Sequence, residues 1–306
     1  MNNLTIKQLR YVDALARHGH FGHAAAACNV TQPALSMQIK EMEEAFGLPL
    51  FERTPRQVRL TGFGETVLTR AKDILRAVDE LDDLARAARG GLTGRLRLGV
   101  IPTIAPYLLP RLIGTLGLHY PQIDLHIRET LTPRLLEDLS AGRLDTAILA
   151  LPVSVPALTE VPLHDEEFVL VRPAEDDDKP VPDGEALAQM RLLLLEEGHC
   201  FRDQALSFCN IRSSLPREGL DGSSLSTLVQ MVGAGIGVTL IPDMAVGVET
   251  RSATVSVARF AQATPKRTIG MVWRKASPLA TELEGMAEVV RTAIMPEGLC
   301  VGPTPG

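Results

Sequence analysis

The 306-residue sequence predicts an α/β protein with a small helical module at its N-terminus, and three patterns carry that expectation. Apolar residues in the first 46 positions recur at helical spacing in three short runs. From Glu65 a single run keeps a 3.5-residue period over three heptads. Beyond Arg95, short apolar segments alternate with helical ones, the order of strands and helices in an α/β fold.

Composition bounds the function. Hydrophobic residues make up 45% and charged residues 22%, a globular balance. The net charge is −6, but residues 1–94 carry 12 Lys+Arg against 11 Asp+Glu and the rest 19 against 26. The acidity therefore belongs to the C-terminal part and leaves room for a small DNA-binding module ahead of it. The most apolar stretch, Met231–Ile241, is far short of the roughly 20 residues of a membrane helix. The N-terminal segment is charged where an export signal needs an apolar core, and four cysteines are too few for a secreted disulfide framework. The expectation is a cytoplasmic protein with no membrane association, no cofactor motif and no metal-ligand cluster.

The elements follow in order. Leu9, Val12 and Ala16 share one face of a first helix; Phe21, Ala24, Ala25 and Cys28 one face of a second; Leu35, Ile39, Met42 and Phe46 one face of a third. Gly19 breaks the first from the second, while Thr31 is a natural cap for the third with Pro33 in its first turn. Taken alone, these helices fit either a generic three-helix bundle or a helix-turn-helix with a tight central connection. Arg53, Arg56 and Arg59 lie in a polar stretch that reads as a solvated loop or as a wing touching phosphates. In the helix expected at 65–89, Val67, Ala71, Ile74, Val78, Leu81, Ala85 and Ala88 alternate spacings of four and three, so a second copy of the same helix is the expected partner. Gly90, Gly91 and Gly94 read as a hinge. Strands are expected at Arg95–Ile101, Ile123–Glu129, Leu144–Leu151, Phe168–Arg172, Leu192–Glu196, Val238–Ile241 and Thr268–Arg274, and helices at Tyr107–Leu118, Pro133–Ala141, Gly184–Met190, Ser224–Gly233 and Pro278–Ile294.

The stretch FGHAAAACNVTQPALSMQIKEMEEAFGLPLFERTPRQVRLTGFGE (Phe21–Glu65) resembles the winged helix-turn-helix of the LysR-type transcriptional regulators, and the resemblance covers essentially the whole chain. It implies a DNA-binding domain over 1–64, a dimerising linker helix over 65–89 and a hinge over 90–94. It also implies an effector domain of two subdomains, 95–166 with 268–306 and 167–267, similar to periplasmic binding proteins. GVIPTIAPYLLPRL (Gly99–Leu112), LDTAILAL (Leu144–Leu151), LLLLEEGHCFRDQALSFC (Leu192–Cys209) and RTIGMVWRKASP (Arg267–Pro278) are similar to peroxide-sensing members of that family. That similarity implies a peroxide-reactive Cys200 and a disulfide partner in Cys209, within a redox segment over 199–209. It implies a peroxide pocket of Thr103, Thr132 and His199, with Arg267 beside it. Its implied partners are double-stranded DNA, RNA polymerase, hydrogen peroxide as effector, and a glutaredoxin- or thioredoxin-type reductant, in a homodimer or homotetramer on the bacterial nucleoid. The segment Arg217–Gly222 departs from the more basic stretch of those relatives.

The residues themselves support such chemistry. A thiol of ordinary pKa is only about 3% thiolate at pH 7, so a reactive cysteine needs positive surroundings. His199 and Arg202 are adjacent cationic candidates, Asp203 is placed to orient Arg202, and a helix starting near His199 would aim its amides at the sulfur. Peroxide turns a thiolate into sulfenic acid, which a second thiol converts to a disulfide; Cys209 is the nearest in sequence. As one helix, Cys200–Cys209 would hold the α-carbons about 13.5 Å apart, whereas a disulfide needs about 7 Å or less. The segment therefore changes conformation on oxidation, and closing the ring favours the new form by roughly 2–3 kcal/mol. The alternative is a pair of inert buried thiols. Cys28 reads as core packing, and Cys300 as incidental in a Pro/Gly-rich tail. Gln32, Pro33, Ser36 and Lys40, with Arg53 and Arg56, are the candidate DNA contacts, and Ile74, Val78 and Leu81 the dimerising ones. The expected function is a peroxide-responsive activator. The rivals are a regulator of the same family answering to a small metabolite, and a thiol peroxidase.

Overall fold

The computed structural model describes residues 4–53, 58–87, 92–209, 221–261 and 264–294, which divide into two compact units, Met1–Ala85 and Arg86–Gly306. In the first unit, Thr5 opens α1 (Ile6–His18) with a reciprocal cap, its hydroxyl accepting from Gln8 N while the Gln8 side chain accepts from Thr5 N. Gly19, at φ +59°, stops the helix. α2 (Phe21–Ala27) and α3 (Gln32–Phe46) follow with only a short link in which Asn29 takes φ +52°. Thr31 caps α3 through Ala34 N.

Leu9, Val12, Leu15, Ala24, Ala25, Leu35, Ile39 and Met42 close one apolar core. The Glu43 carboxylate accepts from Leu50 N (2.8 Å) and Phe51 N (3.1 Å), tying to α3 the start of an antiparallel ribbon of β1 (Phe51–Arg53) and β2 (Val58–Leu60). The polar stretch is thus a wing rather than a plain loop. Arg56 and the Arg53 side chain lie outside the described residues.

α4 (Gly62–Ala87) starts three residues before the expected Glu65. Its apolar stripe divides. Ala71 is buried in the unit's own core and Val67, Leu68 and Leu75 pack on it, so the start of the heptad stripe, Val67 and Ala71, serves the domain's own core. Ile74, Leu81 and Leu84 are 42%, 63% and 53% exposed, and Val78 is half-buried. Ala88, Arg89, Gly90 and Gly91 lie outside the described residues. Gly94 is the first residue of a strand, so it does not belong to the expected hinge.

In chain order the second unit runs β3 (Gly94–Val100), α5 (Ala105–His119), β4 (Ile123–Glu129), α6 (Thr132–Ser140), β5 (Thr146–Leu151), β6 (Leu158–Pro173), α7 (Gly184–Gln189), β7 (Leu192–Leu195), α8 (Cys200–Phe208), β8 (Asp221–Gly222), α9 (Leu225–Gly233), β9 (Val238–Pro242), α10 (Asp243–Glu249), β10 (Val255–Ala258), β11 (Lys266–Arg274) and α11 (Ala280–Ile294). The strands pair in the order β4-β3-β5-β11-β6-β9-β7-β8, with β10 on β6. Two cores form along this sheet. One draws on residues 92–163 and 269–294 around Trp273; the other draws on residues 168–260 around Phe168. β6 and β11 pair antiparallel from Glu167 to Leu158, so β6 passes from one core to the other between Leu163 and Phe168. This is the expected α/β architecture, with β6 ten residues longer at its start than the Phe168–Arg172 segment.

Trp273 has no solvent exposure. Trp273→Ala is expected to destabilise the second unit by about 3–5 kcal/mol in denaturant unfolding, through lost burial and the cavity left behind.

Candidate functional site

Three segments of the second unit, 101–103, 131–132 and 198–200, meet at Cys200. β7 ends at Leu195, and Gly198 then takes φ +94° with the position of a Cβ only 3.0 Å from Leu131 Cδ1. Only glycine fits that close turn, which sets His199 and Cys200 beside the start of α6. His199 is the N-cap of α8 but gives it no side-chain cap. The first-turn amides therefore lack a side-chain acceptor, and their positive end lies at Cys200, the first helical residue. Cys200 is half-buried against the core around Trp273. Cys209, the C-cap of the same helix, is 2% exposed and belongs to the other core. Both thiols are free. An α-helix separates them, so their α-carbons stand about 13.5 Å apart.

Thr103, Leu131, Thr132, Gly198, His199 and Cys200 line a narrow crevice that has no space for a water-sized sphere. Thr132 Oγ1 is buried there with no hydrogen-bond partner among the described residues. Thr103 Oγ1 accepts from Arg267 Nη1 (2.8 Å) and Thr103 O from Nη2 (2.9 Å). Arg267 Nε donates to Glu166 Oε2 (2.7 Å), and the guanidinium lies 5.7 Å from the centre of the Phe201 ring on α8. Thr103, Thr132, His199 and Cys200 thus come together at one crevice, with Arg267 joined to it through Thr103.

Two expectations need correction. Burial pushes the His199 imidazole below its ordinary pKa, against a smaller opposing effect of Glu196, so near pH 7 it is a neutral ring and not the cation expected beside the thiol. Arg202 does not pair with Asp203. Its Nη1 donates to Leu195 O (2.6 Å) and lies 3.0 Å from Asp221 Oδ1, bracing α8 on the ends of β7 and β8, while Asp203 is exposed beside Gln204 and Lys266. Asp221 belongs to the segment Arg217–Gly222; its residues 217–220 lie outside the described residues.

Sequence reasoning missed Glu166, Phe201 and Gly198. Glu166 sits in the run His164–Glu167, which reads as solvated charge, yet it is 3% exposed. Also missed was a wider cleft of about 350 Å³ that shares Thr103, Leu131 and His199 with the crevice. There Tyr107 and Ser226 donate to the two oxygens of Glu249 at 2.6 and 2.5 Å, and burial with that bond raises the Tyr107 phenol well above its ordinary pKa.

Outside this region, Cys28 packs against the core of the first unit and burial pushes its thiol up. Cys300 lies outside the described residues. Gln32, Pro33 and Lys40 are exposed on α3 and Ser36 half-exposed, opposite the buried Leu35, Ile39 and Met42. Met37, 56% exposed on α3, is a further contact candidate that sequence reasoning did not name.

Residues 6–65 match the family model for the bacterial regulatory helix-turn-helix protein, lysR family, and residues 89–294 the LysR substrate binding domain. The chain is 45% identical over 295 residues to the probable hydrogen peroxide-inducible genes activator of Streptomyces viridosporus, covering 95% of this chain and 94% of that protein. It is 40% identical over 293 residues to the DNA-binding transcriptional dual regulator OxyR of Escherichia coli, covering 94% and 95%. Its structure is similar to a hydrogen peroxide-bound cysteine-to-serine variant of Corynebacterium glutamicum OxyR, with a TM-score of 0.65, 37% identity and 94% and 92% coverage.

The lowered pKa of His199 gives a signed expectation. An imidazole kept neutral by the fold binds fewer protons than in the unfolded chain, so stability falls as pH drops below the unfolded value near 6.5. His199→Gln is expected to lose less thermal stability than the wild type between about pH 7.5 and about pH 5.5; equal losses in melting experiments would contradict it.

Proposed function

This chain belongs to the LysR family of DNA-binding transcriptional regulators, and from that premise we propose that it is an activator that senses hydrogen peroxide through Cys200 and Cys209. One observation carries the reading: a thiol at the amide end of α8 faces two threonine hydroxyls in a crevice, and a second thiol closes the other end of the same helix. The side chains that close the crevice to a water-sized sphere part to admit peroxide, which Thr103 and Thr132 then hold. The unpartnered Thr132 hydroxyl is a polar group with hydrogen-bonding capacity to spare. The Cys200 thiolate attacks one peroxide oxygen, an S–O bond forms as O–O breaks, and the leaving hydroxide takes up the proton that the thiol gave up and departs as water. The sulfenic acid then condenses with the Cys209 thiol; S–S forms, S–O breaks and a second water leaves.

That condensation requires α8 to come apart, because its geometry exceeds disulfide reach. Refolding next to subunit contacts re-packs the oligomer on DNA and presents a surface to RNA polymerase. Gln32, Pro33, Ser36 and Lys40 face the major groove while Arg53 and Arg56 of the wing meet phosphates. Exposed Ile74 and Leu81, seven residues apart, with Val78 between them, seat a second α4 in a homodimer, and dimers pair into a homotetramer. A glutaredoxin- or thioredoxin-type reductant restores the dithiol in the cytoplasm, where the protein works at the nucleoid.

A second reading draws on the cleft beside the crevice, whose volume and polar lining suit a small metabolite. Peptide mapping without reductant, before and after micromolar-scale peroxide, separates the two. A Cys200–Cys209 disulfide is expected after treatment, with a changed DNase footprint, and its absence sinks the sensor reading. Thr103→Val is expected to slow oxidation at least tenfold while DNA affinity is kept; an unchanged rate removes it from the site. Ile74→Asp with Leu81→Asp is expected to sediment with smaller assemblies than the wild type, and identical sedimentation would count against the α4 interface.

A further inference from the structure

Glu166 lies beyond the crevice, but it is the negative end of a fully enclosed ion pair, its side chain 2% exposed and that of Arg267 0%. Burying a guanidinium and a carboxylate costs several kcal/mol per ion unless each is paired and hydrogen-bonded. Both requirements are met here. Arg267 spends Nε on Glu166 Oε2, Nη1 on Thr103 Oγ1 and Nη2 on Thr103 O, and the other carboxylate oxygen of Glu166 accepts from Met244 N in the first turn of α10 at 2.9 Å.

We propose that Glu166 is a positioning residue for peroxide reduction: by holding Arg267 against Thr103 it fixes the Thr103 hydroxyl as a hydrogen-bond donor into the Cys200 crevice. The argument is one of proton count. A hydroxyl has one proton and two lone pairs, and a guanidinium has donors only. Because Arg267 Nη1 already donates to Thr103 Oγ1, the Thr103 proton points elsewhere, and Thr103 also lines the crevice with Thr132 and Cys200. The peroxide oxygen that leaves gathers negative charge as O–O breaks, and a donor fixed in advance stabilises it. Without Glu166 the guanidinium is an uncompensated buried charge that turns away, and Thr103 regains the freedom to accept instead. This rests on the reading of Cys200 as the attacking thiolate.

Glu166→Gln keeps the side-chain shape but replaces one acceptor oxygen with an NH₂ group, so either Arg267 Nε or Met244 N faces a donor. In the full-length reduced protein, Cys200 is timed against hydrogen peroxide and, separately, against iodoacetamide, which needs the thiolate but not a donor to a leaving oxygen. The expected result is at least a tenfold slower peroxide reaction, roughly 1.4 kcal/mol or more, with alkylation within about twofold. In an Arg267→Gln background, adding Glu166→Gln is expected to change the peroxide rate by less than about twofold, because both act through one contact. Should Glu166→Gln not fold, Glu166→Asp serves, with a smaller loss confined to peroxide. A wild-type peroxide rate, equal losses toward both reagents, or additive losses in the double variant would overturn the assignment. A wild-type Cys200 no faster with peroxide than free cysteine would overturn the sensor reading as well.

Discussion

Two thiols fixed to opposite ends of one short helix are the constraint on which the rest of the structure depends. Eight helical residues separate Cys200 from Cys209, and each end is seated in a different apolar core. A chemical bond between them is incompatible with the helix that holds them. Undoing α8 also disturbs Phe201, Leu206 and Cys209, which are buried in the core around Phe168, at a cost on the order of 1.5–3 kcal/mol for each large side chain that loses its burial. The dithiol form is therefore held by packing, and on the proposed reading oxidation supplies the chemical free energy to leave it. A regulator needs that arrangement: a stable resting fold and a second fold reached through one covalent event.

The surroundings of Cys200 owe little to full charges. His199 is held neutral by burial and Arg202 is committed to Leu195 and Asp221. What faces the sulfur is the amide end of α8 and the hydroxyls of Thr103 and Thr132. A helix terminus favours a negative group by about 0.3–1 kcal/mol, and more where it is partly buried. The one nearby guanidinium with a role in the crevice, Arg267, acts through Thr103 and is itself balanced by Glu166. Those hydroxyls can order hydrogen bonds around a very small molecule only once the crevice, which has no room for a water-sized sphere, widens.

The architecture was legible because the periodicities are strong. The three capped helices, the long fourth helix and the continuously apolar strands such as Leu192–Leu195 and Val238–Pro242 are local signals. The first half of β6 was not, because LTEVPLHDEE contains Pro162 and four acidic residues and only part of it is buried. The fourth helix showed its heptads, but periodicity cannot say that Val67 and Ala71 pack at home while Ile74 and Leu81 do not. In the site, Cys200, Cys209, Thr103, Thr132 and Arg267 were readable from spacing and resemblance. The partners of Arg202 and Glu166 were not, since they lie on strands 19 and 101 positions away in sequence, and the neutral state of His199 follows from burial that no local pattern encodes.

The most direct test of the central claim is amide hydrogen exchange across residues 201–208, compared between the dithiol protein and the peroxide-treated protein after excess oxidant is removed. The backbone amides of α8 from Gln204 onward are hydrogen-bonded within the helix in the dithiol form and should lose most of their protection once Cys200 and Cys209 are joined, with protection regained after reduction. Protection that stays unchanged while mass spectrometry shows the disulfide in place would contradict the account, because the bond would then have formed without the helix giving way.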